Sequence, residues 1–205
     1  MKCYEYCQTL FDEVFLPVLQ EQFPEILPQL SVGVVGWGSD VLGADDELSQ
    51  DHNWGYTRCQ LMFPEPDVKQ YGLSIYQTLL SAVPDGFREV IATELEPREI
   101  VVGTIDSIYR GLYGFPNGHL PVTLEKWASI VSGALCFASS GFLIYDPSGV
   151  LAERMSEFRN AYYPTDIWKW QIAAQLWDIW HYGAYNLCDR RDLARGKPAS
   201  RCRMA

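Results

Sequence analysis

The chain has 205 residues, of which 48% are hydrophobic and 14% aromatic, so it can bury a real core and is not a disordered chain. Its formal net charge of −10 comes from 26 acidic and 16 basic residues. This charge argues against long DNA or RNA as a partner, because phosphate backbones need a basic face. A small anionic ligand remains compatible with it, since a bound divalent cation would supply positive charge.

The cysteines and the apolar segments predict a cytoplasmic protein without a membrane span. Six cysteines are scattered, and only Cys3 and Cys7 have helical-turn spacing, so we expect reduced thiols, with a zinc site there as the less favoured alternative. The first seven residues lack the apolar core of a signal peptide. Residues 127–145 are uncharged and long enough to cross a bilayer, but their four serines and two glycines favour a buried helix and a strand.

The elements before Leu120-Pro121 predict alternating helices and strands. Residues 4–23 have helical spacing, and Pro17 is expected to kink that helix. The other predicted elements are a strand over residues 30–37, a strand over 58–63, a helix over 68–82, a strand over 99–108 that is buried on both faces, and a loop over 110–119.

Beyond Leu120-Pro121 the pattern is mostly helical. It predicts helices over residues 123–138, 150–161 and 165–185, and a strand over 142–145. The last helix carries four tryptophans, for which core or inter-domain packing is favoured over a base-stacking platform, namely Trp168, Trp170, Trp177 and Trp180. The predicted organisation is an α/β domain over residues 1–120, a helical segment over 121–190 and a loose tail over 191–205.

The segment over residues 34–54 carries most of the chemical information. The Gly38-Ser39 turn lets backbone approach a ligand closely, and the serine adds a hydroxyl. Asp51 and Asn53 would point to one face of a strand and offer two oxygen ligands to Mg²⁺, whereas His52 would point to the other face in a structural role. Five acids fall within twelve residues: Asp40, Asp45, Asp46, Glu47 and Asp51. By spacing alone, an acidic surface loop explains the segment equally well.

The order Gly38-Ser39, then Ser49-x-Asp51-x-Asn53, resembles the signature of the DNA polymerase β-like nucleotidyltransferase superfamily. The fuller run through Asp51-His52-Asn53-Trp54-Gly55 is similar to a poorly characterised bacterial and fungal subfamily. The likeness continues through Tyr145-Asp146-Pro147 and Tyr163-Pro164-x-Asp166-Ile167-Trp168, and it covers most of the chain to about residue 190. The first motif is specific to the superfamily, and the later ones only support it.

The resemblance implies an α+β fold, with a short mixed sheet, flanking helices and a helical C-terminal segment. It implies transfer of a nucleoside monophosphate from an NTP to a small-molecule acceptor, with Mg²⁺ or Mn²⁺ as cofactor. Gly38 and Ser39 would bind phosphates, and Asp51 and Asn53 would hold the metal. Arg58 could neutralise a phosphate, although an ordinary surface arginine is an equal alternative.

Two departures from the superfamily pattern put catalysis in doubt. The second carboxylate position holds Asn53, whose amide can ligate Mg²⁺ but brings no charge. The third acidic position aligns nearest Val101, and the candidates to replace it are Glu99, which is preferred, and Asp106. Relatives also carry further helices after the segment that matches residues 165–189.

Three functional hypotheses follow. The leading one is an Mg²⁺-dependent nucleotidyltransferase that acts on a small molecule. The second is a protein of the same fold that binds a nucleotide or a partner without turnover, and it is motivated by Asn53 and the unclear third carboxylate. The third is an interaction module without a nucleotide, which the aromatic content supports weakly. The composition permits a homodimer.

Overall fold

The computed structural model describes residues 1–46, 54–87, 90–91 and 100–184. The fold is α+β, with a small mixed sheet and flanking helices, as predicted. The strands are β1 (Ser31–Val34), β2 (Trp54–Gly55), β3 (Gln60–Met62), β4 (Val90–Ile91), β5 (Val102–Gly103) and β6 (Phe142–Tyr145).

The main sheet has the strand order β5-β3-β1-β6, and β2 pairs with β4 separately. Strand β1 is antiparallel to both of its neighbours, with Val32 opposite Leu61 of β3, and β3 is parallel to β5. All four residues of β1 are buried, which confirms the centre of the predicted strand. Gly33 is needed there, because a Cβ would lie 2.9 Å from the Phe142 carbonyl oxygen.

The helices are α1 (Cys3–Leu10), α2 (Leu16–Gln22), α3 (Glu65–Ala82), α4 (Ile105–Tyr113), α5 (Leu124–Ala128), α6 (Ala134–Ala138), α7 (Val150–Arg159) and α8 (Thr165–Asp178). A π-helical turn over Phe11–Phe15 joins α1 to α2, and another over Ile179–Ala184 follows α8. Pro17 lies in the first turn of α2 and has no N–H to donate to the preceding turn, so the helix widens just before it.

The expected strand over residues 99–108 is wrong for most of its length. Among the described residues 100–108, only Val102–Gly103 forms a strand, and Ile105–Tyr113 is the helix α4. The reason is a reciprocal cap: the Ser107 N–H donates to Thr104 Oγ1 at 2.9 Å, and the Thr104 N–H donates to Ser107 Oγ at 2.9 Å. The expected loop therefore begins only at Gly114, which ends α4 in the left-handed conformation.

The expected single helix over residues 123–138 is two short helices. Helix α5 ends at Ala128, and α6 begins at Ala134, directly after Gly133, whose backbone is in the left-handed conformation. The strand over Phe142–Tyr145 is confirmed, and α7 follows it as predicted. In the part of the chain that the structure describes, no helix is long and apolar enough to cross a membrane.

The chain divides into two compact units. The first comprises Met1–Val122 and Ser129–Tyr162 and contains the sheet and the hydrophobic core. The second comprises Thr123–Ala128 and the chain from Tyr163 onward. Within the second unit, the Trp127 ring lies edge-on to Tyr163 at 5.4 Å between centroids. The first unit thus includes a stretch beyond the boundary expected at residue 120.

Core packing, one of the two kinds of packing expected for the four tryptophans of residues 165–184, is wrong. Trp168, Trp170, Trp177 and Trp180 are each more than half exposed, and the buried side chains of the helix are Ile167 and Gln171. Trp170 and Trp177 are seven residues apart and share one face of the helix, which is not the face of the buried Ile167 and Gln171.

Candidate functional site

The Gly38-Ser39 turn follows the end of β1, and the chain leading into it is held by the end of α4. The Gly36 N–H donates to the Tyr113 hydroxyl at 2.7 Å, and the Trp37 indole N–H donates to the Leu112 carbonyl at 2.6 Å. Gly36 has a φ of +112° and lies so close to Arg58 that a Cβ would be 3.3 Å from its Nη1. The end of α4 therefore fixes the chain that leads into the turn.

The turn itself is closed by backbone hydrogen bonds. The Ser39 carbonyl accepts from the N–H groups of Leu42 at 3.2 Å and Ala44 at 2.9 Å, and Gly43 donates to the Asp40 carbonyl at 3.1 Å. Gly38 has a φ of +141°, a conformation that favours glycine. Gly38 and Ser39 are half-buried, so they are open to a ligand on one side.

Arg58 forms a buried ion pair with Asp40. Its Nε lies 2.8 Å from Asp40 Oδ2, and its Nη2 lies 3.1 Å from Oδ1. Burial lowers the pKa of Arg58, but the adjacent Asp40 carboxylate outweighs burial, and the pKa is raised overall. The surface position that the sequence allowed for Arg58 is therefore wrong, because only 7% of this residue is exposed.

Gln60 holds the turn in register with β3. Its side-chain oxygen accepts from the Val35 N–H at 2.9 Å, and its side-chain nitrogen donates to the Val35 carbonyl at 2.9 Å. The amide thus continues the β1–β3 pairing by one step, where the strands themselves have ended. Sequence analysis missed Gln60, although a glutamine between Cys59 and Leu61 in a buried apolar run is a signal of a specific polar partner.

Two acids of the loop have structural partners. Asp40 pairs with Arg58, and Asp45 accepts a hydrogen bond from the Cys3 N–H at the start of α1. A carboxylate at a helix N-terminus accepts a hydrogen bond from a backbone N–H that has no partner in the helix, and it interacts favourably with the helix dipole. Both oxygens of Asp40 are used by Arg58, so the dense acidity of this loop reflects structural roles as well as any ligand binding.

The structure brings Gly38, Ser39 and Arg58 together at the end of β1. Asp51, Asn53 and Glu99 lie outside the described residues. Asp106, the alternative for the third carboxylate, lies in the first turn of α4, where Arg154 contacts it at 2.8 Å. In the described ranges, no three His, Cys, Asp or Glu side chains cluster in a way that could hold a metal ion.

The structure also describes the chain directly after Asp51-x-Asn53. Trp54 begins β2 and pairs with Ile91 of β4, and its ring packs against Tyr6 at 4.7 Å between centroids. The Tyr6 hydroxyl donates in turn to the Phe87 carbonyl. The residue that follows the predicted metal motif is therefore anchored on α1.

One comparison with known proteins finds a family match over part of the chain. Residues 127–203 match a family described as a domain of unknown function, DUF4037. This stretch is less than half of the chain, and it lies beyond the Gly38-Ser39 turn. No curated protein and no solved structure matches the chain.

Proposed function

We propose that this protein is a metal-dependent nucleotidyltransferase that transfers a nucleoside monophosphate from an NTP to a small-molecule acceptor. The observation that carries the proposal is the buried pair of Asp40 and Arg58. It joins the Gly38-Ser39 turn to the segment that begins one residue after Asn53. A phosphate-binding turn and a metal motif must act on the same triphosphate, so a rigid connection between their flanking segments is what the chemistry requires.

Each residue has a defined role in this proposal. Ser39 and the backbone of its turn bind phosphate oxygens, and Glu99 serves as the general base. Asp40 and Asp45 have structural partners. The resemblance to the superfamily motif assigns the metal to the Asp51 carboxylate and the Asn53 amide oxygen. Hard oxygen donors fit Mg²⁺ or Mn²⁺, and the bound metal would neutralise triphosphate charge.

Asn53 supports a second candidate, a protein of the same fold that binds a nucleotide without turnover. An amide at this position carries no charge, so it holds the metal more weakly than aspartate would. Weak metal binding lowers catalysis more than it lowers nucleotide binding, because the charge that develops during transfer is then poorly neutralised.

The test measures pyrophosphate release from each of the four NTPs with Mg²⁺ or Mn²⁺ and a panel of hydroxylated acceptors. The proposal expects release that disappears in Asp51→Ala and persists in Asp12→Ala, which removes an exposed carboxylate from the N-terminal helical segment. Nucleotide binding without release would favour the second candidate. No NTP-dependent thermal shift at millimolar Mg²⁺ would overturn both and favour an interaction module.

A further inference from the structure

A cavity of about 720 Å³ opens at the end of the sheet where β1 begins, whereas the Gly38-Ser39 turn follows the end of β1. Strands β3, β5 and β6 run in the same direction, because β3 and β6 are both antiparallel to β1 and β5 is parallel to β3. All three end at this cavity, and the helix that follows each of them begins on its wall, at Glu65, Ile105 and Val150. Crevices at the carboxyl ends of strands are common ligand sites.

One wall of the cavity is fixed by Arg154. Its guanidinium donates to the Gly118 carbonyl at 2.7 Å and to Asp106 Oδ1 at 2.8 Å, and it lies 5.7 Å from the centre of the Tyr109 ring. Gly118 packs so closely on α4 that a Cβ would lie 2.5 Å from the Asp106 Cα. The wall is therefore preformed, which lowers the entropy cost of binding.

The lining carries an excess of positive charge in a chain whose net charge is −10. Three cationic and two anionic side chains line it: Lys69, Arg110, Arg154, Glu65 and Asp106. Lys69 lies 2.8 Å from Glu65, and Arg154 lies 2.8 Å from Asp106. Arg110 has no ionic partner within the described part of the chain, so its charge is available to a ligand.

At two of the helix N-termini that border this cavity, N–H groups already donate to side chains of the protein. Thr104 accepts from the Ser107 N–H at 2.9 Å in α4, and Asp146 accepts from the Ala152 N–H at 2.9 Å in α7. Charge selectivity therefore depends mainly on Arg110. The rest of the lining is partly apolar, through Met62, Phe63 and Val68.

We infer that this cavity binds a small molecule that carries an oxyanion, a phosphate or a carboxylate, on an apolar body. The Arg110 guanidinium pairs with the oxyanion, and the apolar body contacts the Met62 and Val68 side of the cavity. The ligand is distinct from the NTP of the proposed function, because the cavity and the Gly38-Ser39 turn lie at opposite ends of β1. The inference does not depend on nucleotidyl transfer.

Amide NMR of the full chain tests the inference, with phenyl phosphate, benzoate and neutral phenol as probes in buffer that contains EDTA. We expect either anion to shift the amides of Thr104, Ser107 and Asn117, and phenol to shift them weakly. The tighter anion identifies the preferred oxyanion. Arg110→Gln should weaken binding by about tenfold, the effect of one charge-assisted contact. Lys169→Gln, which removes an exposed charge in the second unit, should not change it.

Three results would overturn the inference: no shift at the cavity with either anion, equal binding of phenol, or unchanged binding by a folded Arg110→Gln. The thermal midpoint without ligand shows whether that variant is folded, and Arg110 is exposed, so the substitution is expected to be tolerated. Asp51→Ala should bind phenyl phosphate normally. A failure of this site and a failure of the proposed function are therefore separate results.

Discussion

The Asp40 carboxylate and the Arg58 guanidinium meet inside the protein through two hydrogen bonds, 2.8 and 3.1 Å long. Asp40 belongs to the turn after β1, and Arg58 ends the short 3₁₀ turn that joins β2 to β3. The pair therefore connects the two segments on which the proposed phosphate and metal sites depend.

Loss of Asp40 should strongly destabilise the protein. Asp40→Ala leaves the buried Arg58 charge unpaired, and we expect the free energy of unfolding to fall by about 3–5 kcal/mol in urea titrations. The double variant Asp40→Leu/Arg58→Met should recover much of this loss, because neither charge is then buried alone. Glu65→Gln breaks the exposed pair with Lys69 and should stay close to the parent protein. An Asp40→Ala variant as stable as Glu65→Gln would contradict the structural role of the pair.

Substitution of three glycines in and after α4 distinguishes the effect of backbone strain on stability from the effect of steric conflict. At Gly111 a Cβ meets nothing within 4 Å, at Gly114 the φ is +76° with open space, and at Gly118 the φ is +75° and a Cβ would lie 2.5 Å from the Asp106 Cα. Gly111→Ala should stabilise by up to about 1 kcal/mol, because alanine favours a helix. Gly114→Ala should destabilise moderately and Gly118→Ala the most. Thermal midpoints in any other order would contradict this geometry.

Stability should fall in alkali. Burial raises the pKa of the Cys7 and Cys59 thiols and of the Tyr109 and Tyr113 phenols above their ordinary values. These groups ionise at lower pH in the unfolded chain than in the folded protein. Their contribution to the free energy of unfolding is therefore complete below about pH 8.5, the ordinary thiol pKa, and is progressively lost above it.

Urea midpoints from pH 7 to about pH 10.5 measure this loss over the range in which free thiols and phenols ionise. Cys59→Ala removes one of the titrating groups and should make the decline less steep than in the parent protein. A midpoint that stays constant over the whole range would show that these side chains ionise normally in the folded state.

Asn53→Asp should strengthen metal binding. The substitution adds a carboxylate at the second ligand position, so the affinity for Mg²⁺ or Mn²⁺ in the presence of NTP should rise, and any pyrophosphate release should rise with it. Calorimetric titration of Mn²⁺ measures the affinity. Gln20→Glu adds the same charge on the exposed face of α2 and should leave it unchanged. Equal Mn²⁺ affinities for Asn53→Asp and the parent protein would remove residue 53 from the ligand set.

The sequence predicted the fold class and the elements with clear periodicity. The apolar run around β1 and the helical spacing of α3 and α7 each specify their own structure locally. Helix α4 was missed because Ile100, Val101, Val102 and Ile105 form a β-branched run, which obscured the cap formed by Thr104 and Ser107.

The structural roles around the candidate site were not predictable in the same way. Asp40 and Arg58 are 18 residues apart, and Asp45 and Cys3 are 42 apart, so their pairing depends on tertiary structure. The order of residues along the chain places the acids near one turn, but it does not distinguish acids that stabilise the fold from acids that bind a ligand. The exposure of the tryptophans in residues 165–184 likewise depends on tertiary structure.

Paramagnetic NMR with Mn²⁺ and a non-hydrolysable NTP analogue tests the central claim most directly, because Mn²⁺ broadens the amide signals of nearby residues. The account predicts broadening at Gly38, Ser39 and Trp54 that requires the nucleotide and is lost in Asp51→Ala. Amides at the opposite end of the sheet, such as Ser107, should broaden less than those of Gly38 and Ser39. Broadening at Ser107 with sharp signals at Gly38 and Ser39, or no broadening at all, would contradict the account.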